Sequence, residues 1–403
     1  MQNEKNDLRQ RIRDLQHFGE QGGVVPVIDL AATSTFLNPE DMIKTFNGEL
    51  QGCYLYSRHS NPTVQMFAEK FAALEGLPAA LGVASGMAAI AATIEQLCPD
   101  GGEVISSLTV YGGTYALFKN VFPKQGIQVR FVDTDDLEAV EKLITAKTKV
   151  IYLETLSNPL LTVGDLQGLS RIAKKHKLNL VVDNTFAPAL ISPGRWGADV
   201  VIHSCTKFIS GASDLLAGVI VGSEEFIQSL IDLNHGIVML KGGVMDPRVA
   251  HELYLRLDHL PIRMQAHSQS AQFLAEALQR EKIPVIYPGL KAHPQHLRMT
   301  ELMNPGFGFG GMLTVDLGDP AKALRLAEEL QRQKFGLYAV SLGFSRTLMS
   351  CPAVSTSSEI SAEDQKKMSL SPGLLRISAG YIGVDSVMVE RFLQSYRKIV
   401  KSA

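Results

Sequence analysis

Two stretches decide how this chain is read: Leu180-Val181-Val182-Asp183-Asn184-Thr185, and then Val200-Val201-Ile202-His203-Ser204-Cys205-Thr206-Lys207. Each is a short β-branched run that stops abruptly in polar side chains. That pattern predicts strands buried on both faces, with carboxyl ends that open into a site. Ligands of open α/β sheets sit outside such carboxyl ends. An unpaired buried carboxylate is costly, so Asp183 needs a cationic or proton-donating partner. Lys207 stands where desolvation lowers the proton affinity of an amine, as condensation with a carbonyl requires. Taken singly, each has a plainer reading: Asp183 as a turn or cap aspartate, Lys207 as a solvated lysine just past a strand.

Outward from these runs the chain alternates. Helical periodicity over Val64–Leu74, Met87–Leu97, Asp136–Ile144 and Asp165–His176 is interleaved with apolar runs at Glu103–Ser107, Val129–Val132, Val150–Leu153 and Gly218–Val221. This rhythm predicts an α/β fold with a mostly parallel sheet covered on both faces. Beyond about Ala250 long helices dominate (Val249–Asp258, Gln265–Gln279, Ala321–Gln333, Ser386–Lys398). The strands there are few: Val285–Tyr287, Leu313–Asp316, Tyr338–Ser341 and Leu375–Ser378. The expected division is an N-terminal arm over 1–61, a large domain over 62–258 and a smaller α+β domain over 259–403, the last boundary near the Asp258–Pro261 turn.

Composition narrows the function. The 403 residues are 45% hydrophobic and carry 39 basic against 41 acidic side chains, which gives no electrostatic footprint for nucleic acid or an anionic membrane. The four cysteines, Cys53, Cys98, Cys205 and Cys351, form no CxxC pair; a disulfide framework, a zinc cluster and any other metal site are not expected, and the reading favours a reducing, cytoplasmic setting. The polar, charged start of the chain lacks the apolar segment of a secretion signal. Gly76–Ile94 is uncharged over a membrane-spanning length, but its glycines, proline and alanines carry little transfer energy, and a buried turn feeding a buried helix is the better account.

Two further strand ends complete a constellation. Ala84-Ser85-Gly86-Met87 opens a helix whose first amides can hold an anion. Val110-Tyr111-Gly112-Gly113-Thr114 sets an aromatic ring in a glycine-flanked loop. A lysine for an aldehyde, an acid for a ring nitrogen, a ring to stack on a flat π-face and an anion site for a phosphate together describe pyridoxal 5'-phosphate.

From about His17 to its C-terminus the chain resembles the cysteine/methionine-metabolism family of pyridoxal-phosphate enzymes, which includes cystathionine γ-synthase, cystathionine γ-lyase and methionine γ-lyase. The resemblance rests on Tyr56-Ser57-Arg58-His59-Ser60-Asn61-Pro62-Thr63, Ala84-Ser85-Gly86-Met87, Tyr111-Gly112, Asp183-Asn184-Thr185, His203-Ser204-Cys205-Thr206-Lys207 and Ser341-Leu342-Gly343. It implies the aspartate-aminotransferase-like fold (fold type I) with a seven-stranded-type sheet. It further implies Lys207 as the lysine joined to the cofactor, Asp183 as partner of the pyridine nitrogen and Tyr111 as the stacking ring. Ser85, Gly86, Met87, Ser204 and Thr206 would hold the phosphate end, with Tyr56 and Arg58 reaching in from a neighbouring subunit of a homotetramer. Arg376, Ser341 and Asn158 would receive the substrate carboxylate.

Within the family, Tyr56–Thr63, Phe208–Gly211, Val285–Gly289 with His293–His296, and Leu348–Ser358 are most similar to plant-type methionine γ-lyase. Gly113 stands where well-known bacterial methionine γ-lyases have cysteine, and Ala212 where many members have histidine. The expected activity is α,γ-elimination of L-methionine to methanethiol, 2-oxobutanoate and ammonia. In that scheme Lys207 moves protons between substrate carbons and Tyr111 protonates the leaving sulfur. Three other readings stay open: cystathionine γ-lyase, γ-replacement on an activated homoserine ester (cystathionine γ-synthase or O-acetylhomoserine sulfhydrylase), and a catalytically inactive binding protein of the same fold.

Three features are read as carrying no chemistry. Gly306-Phe307-Gly308-Phe309-Gly310-Gly311 satisfies GxGxxG but follows a helix and precedes a strand, the reverse of a dinucleotide site. His293-Pro294-Gln295-His296 is expected to be a surface loop, and Trp196 a packing residue.

Overall fold

The structure is a computed structural model and describes residues 8–15, 23–50, 52–355 and 360–401. Parts of the expected arm (1–7, 16–22 and 51) and Thr356, Ser357 and Ser358 of the resembling segments lie outside the described residues.

Among the described residues, twelve strands form two sheets. β1 (Ala79–Val83), β2 (Gly102–Ser107), β3 (Ile127–Val132), β4 (Thr148–Glu154), β5 (Asn179–Asp183), β6 (Val200–Ser204) and β7 (Gly218–Gly222) make the larger one, in the order β1-β7-β6-β5-β4-β2-β3. Only β7 runs against the rest. The carboxyl ends of β1, β2, β4, β5 and β6 therefore share one edge.

Successive residues of a strand point to opposite faces, so a strand buried on both sides feeds two cores. Val182 and Val201 enter one core with Phe67, Phe71 and Leu169, from helices Pro62–Glu75 and Leu166–His176. Val181 and Ile202 enter the other with Ala89, Ile90 and Ile94 of helix Gly86–Leu97. Pro62–Glu75 begins where Asn61 accepts from the Thr63 and Val64 amides and Pro62 occupies the first turn.

The smaller sheet comprises β8 (Val285–Ile286), β9 (Met312–Asp316), β10 (Leu337–Tyr338), β11 (Leu348–Ser350) and β12 (Leu374–Ser378), in the order β10-β11-β12-β9-β8. It packs against helices Leu260–Arg280, Pro320–Arg332 and Ser386–Lys401. The fold is α/β of fold type I: a mostly parallel seven-stranded sheet with a smaller C-terminal α+β sheet.

The expected elements are present, most within two residues of the bounds read from the sequence, and the exceptions have physical causes. β1 was hidden in the uncharged Gly76–Ile94 stretch: Ala-Ala-Leu-Gly-Val has one β-branched residue and lies at the sheet edge, so its strand preference comes from pairing with β7. β11 is likewise not announced by the sequence: Leu-Met-Ser has no β-branched residue, and its extended form comes from pairing with β10 and β12. Only His259 separates helix Pro247–Asp258 from helix Leu260–Arg280, because Pro261 falls in the first turn, where its missing N–H costs nothing. The strand expected at Tyr338–Ser341 is Leu337–Tyr338 instead, which leaves Ser341 in a loop. Gly306–Gly311 is, as expected, a loop before β9, with Gly306, Gly308 and Gly310 at positive φ. His293–His296 is a surface loop only in part: Pro294 is exposed in a turn, but His293 is buried and His296, which opens a helix, stacks on Phe309 at 5.1 Å. Trp196 packs against the first core and donates to the Leu302 carbonyl. No described helix is long and apolar enough to cross a membrane.

Candidate active site

A cavity of about 230 Å³ opens at the shared carboxyl edge of the large sheet. It is lined by Ser85, Gly86, Met87, Tyr111, Asn158, Asp183, Ser204, Thr206, Lys207 and Arg376, ten of the thirteen residues named from sequence. An eleventh, Ser341, accepts a hydrogen bond from Lys207 Nζ at 3.4 Å. The other two stand apart. Tyr56 is exposed and Arg58 Nη1 donates to the Met239 carbonyl at 2.7 Å, so within one chain neither reaches the cavity.

At the anion end the Ser85 hydroxyl accepts from the Ala88 amide at 3.1 Å, starting helix Gly86–Leu97. A Cβ on Gly86 would lie 2.6 Å from the Ser204 Cβ, so only glycine brings this helix start against the end of β6. The first amides of the helix and the Ser204 and Thr206 hydroxyls thus border one concavity; Thr206 Oγ1 also accepts from the Ala217 amide.

At the floor, Asp183 ends β5, buried but lining the cavity. Its Oδ1 accepts from the Thr185 amide at 3.0 Å, and its Oδ2 from the Tyr152 hydroxyl at 3.4 Å. Burial is the leading influence and raises its proton affinity above the usual aspartate, although the Thr185 bonds pull the other way. Glu154, its register partner at the end of β4, is raised by burial and by the Asp183 charge. Glu154 Oε1 accepts from the Tyr111 amide at 2.6 Å and Oε2 from the Asn158 amide at 2.9 Å.

Lys207 and Arg376 line the same cavity. Burial, then the nearby Arg376 charge, lowers the proton affinity of Lys207 below that of an exposed lysine. Arg376, on the middle strand of the small sheet, is buried and pushed down to about 10 by desolvation. Its Nη1 donates to Asn158 Oδ1 at 3.0 Å. Sequence reading missed Glu154, Tyr152 and Thr185. Glu154 did carry a signal: like Asp183, it is a carboxylate that closes an apolar strand.

The donor set fits pyridoxal phosphate. It offers a glycine-lined helix start with two hydroxyls for a phosphate, an enclosed acid for a heterocyclic nitrogen, a desolvated amine for an aldehyde and a ring beside them. Fold and site together define a pyridoxal-phosphate enzyme of fold type I.

The chain belongs to the Cys/Met metabolism PLP-dependent enzyme family, whose profile matches residues 10–390, and pyridoxal 5'-phosphate is its cofactor. It is 45% identical to the methionine gamma-lyase of Arabidopsis thaliana over 379 residues, covering 92% of this chain and 86% of that one. It is 37% identical to the L-methionine gamma-lyase of Pseudomonas putida, covering 92% of each. Among solved structures it superposes, with a TM-score of 0.87 and 29% identity, on a Campylobacter jejuni protein described as an O-acetylhomoserine (thiol)-lyase. That protein carries a pyridoxyl-lysine monophosphate, and the match covers 97% of this chain and all of that one.

Proposed function

We propose that the protein eliminates the γ-substituent of L-methionine, giving methanethiol, 2-oxobutanoate and ammonia. The 45% identity to the Arabidopsis methionine gamma-lyase supports this, and one feature of the cavity carries it. The charged side chains that line it, among the described residues, are Glu154, Asp183, Lys207 and Arg376. Both carboxylates are held by neighbouring donors, so one guanidinium is left to bind one substrate carboxylate. The remaining walls include Leu156, Phe186, Leu216, Val340 and Leu342, which suit a short thioether better than a second charged amino-acid head.

Bound pyridoxal phosphate supplies an electron sink for charge developing at the substrate Cα and Cβ. In this reading the Gly86 and Met87 amides and the Ser204 and Thr206 hydroxyls hold its phosphate. Asp183 keeps a proton on its ring nitrogen, Tyr111 covers its face and Lys207 anchors its aldehyde carbon. Arg376, with Asn158 and Ser341, orients the methionine carboxylate, and a planar guanidinium can grip both oxygens. Lys207, its proton affinity lowered, takes the Cα proton and carries protons between Cα and Cβ. Tyr111 then protonates the departing sulfur. One water is consumed in releasing 2-oxobutanoate and ammonia.

The structural likeness to the Campylobacter protein favours a second reading, γ-replacement on an O-activated homoserine at the same site. Incubating the enzyme separately with methionine, cystathionine and O-acetylhomoserine distinguishes the two. Methanethiol and 2-oxobutanoate from methionine are expected to dominate. Thioether or homocysteine formation from the ester, with methionine inert, would overturn elimination.

We further propose a homotetramer of active-site-sharing dimers, in which Tyr56 and Arg58 complete a neighbour's phosphate site. Their position outside their own cavity supports it. The division into arm 1–61, large domain 62–258 and small domain 259–403, and a cytoplasmic setting for a chain whose cysteines are free, belong to the same proposal.

A further inference from the structure

Burying a carboxylate is costly, and Glu154 is enclosed at the end of β4, next to a second buried acid, Asp183. What it does there is visible in its two oxygens. One accepts from the Tyr111 amide, where the loop after β2 turns into a short helix; the other accepts from the Asn158 amide, in the loop after β4. Neither amide has a strand partner in these irregular segments, and a buried N–H without an acceptor is destabilising. A carboxylate can accept at both ends. A glutamine of the same shape would turn an NH₂ toward one of the two donors. The two loops it joins carry different parts of the site: Tyr111 on one, and on the other Asn158, whose side chain holds Arg376.

We propose that Glu154 is a positioning residue that sets, through two backbone amides, both the ring over the cofactor and the Asn158–Arg376 pair that receives the substrate carboxylate. The proposal rests on the roles given above to Tyr111 and Arg376. It adds a link between them: cofactor grip and substrate grip share one anchor, so a single side chain tunes both.

The test is a double-mutant cycle read in two ways. Cofactor affinity is measured by absorbance titration of the apoprotein with pyridoxal phosphate, and KM and kcat for methionine are measured on the saturated enzyme. Glu154→Gln is expected to change one readout, cofactor affinity or KM, about tenfold at the loop whose amide meets the NH₂, and the other less, because the carbonyl oxygen still accepts there without its charge. Added to Tyr111→Ala, it should weaken cofactor binding by less than about twofold more, because the ring it positions is already gone. Fully multiplicative losses, or unchanged cofactor affinity and KM in Glu154→Gln, would overturn the proposal. If Tyr111→Ala itself leaves cofactor affinity unaltered, the reading of the site fails and the proposal falls with it. Should Glu154→Gln not fold, Glu154→Asp carries the test: one methylene shorter, it reaches one amide and must lose one of the two readouts. Loss of neither contradicts the inference.

Discussion

Asn158 Oδ1 accepts a hydrogen bond from Arg376 Nη1 at 3.0 Å, so the loop after β4 of the large sheet meets β12 of the small sheet over one cavity. Each alone is half a binding site. Held together, they present a buried guanidinium on the wall of the cavity.

Removing that guanidinium should therefore act on binding more than on chemistry. A hydrogen bond to a charged group contributes about 1.5–3 kcal/mol, so Arg376→Ala is expected to raise KM for methionine roughly 10- to 150-fold. Arg376→Lys should recover part of this loss, keeping the charge without the planar fork. Steady-state kinetics check it. A kcat collapse with KM unchanged would place Arg376 in the chemical step instead.

Acid should loosen the turn that carries Lys207. His267 is fully buried, lies edge-on to Phe208 at 4.9 Å, and its Nδ1 is 2.6 Å from the Ala379 carbonyl. Burial, the leading cause, pushes this imidazole down from 6.5 to about 4. Its folded value is depressed, so as pH falls from about 6.5 to about 4 the unfolded chain gains a proton that the folded chain refuses. Stability present above that window declines through it, by about 3 kcal/mol in all. Urea unfolding at pH 7 and pH 4 measures the decline. His267→Gln should lower stability at pH 7 yet flatten this part of the pH dependence.

The proposed sharing of sites between subunits predicts complementation. Lys207→Ala and Arg58→Ala should each be nearly inactive alone. Unfolded together and refolded, they form mixed dimers in which one of the two cavities has both its own lysine and an intact neighbouring arginine. Activity should return to roughly a quarter of wild type under random pairing. No recovery, with mixed dimers present by mass, would confine each site to one chain.

The large sheet was legible because its strands are buried on both faces and so read as β-branched runs: Val181-Val182 and Val200-Val201-Ile202 admit little else. The strand ends were legible too, since Asp183 and Lys207 break those runs with charge. β1 was not, because Ala79-Ala80-Leu81-Gly82 gains its extended form from pairing with β7, which no local preference encodes. Glu154 escaped notice for another reason. The strand read at Val150–Leu153 stops one residue before it, and what makes it matter is the distant amide of Tyr111, a contact that spacing cannot reveal. His293 is not legible as a buried side chain because proline and polar neighbours suggest solvent, whereas its ring is enclosed in the fold beside Leu161.

We propose that the desolvated amine of Lys207, and no other, anchors the cofactor. Treating the holoenzyme with borohydride, digesting it and locating the added pyridoxyl phosphate mass by tandem mass spectrometry tests this directly. The mass is expected on Lys207 in the wild type and on no residue in Lys207→Ala. Modification of a different lysine, or a protein that carries no pyridoxyl group after reduction, would contradict it.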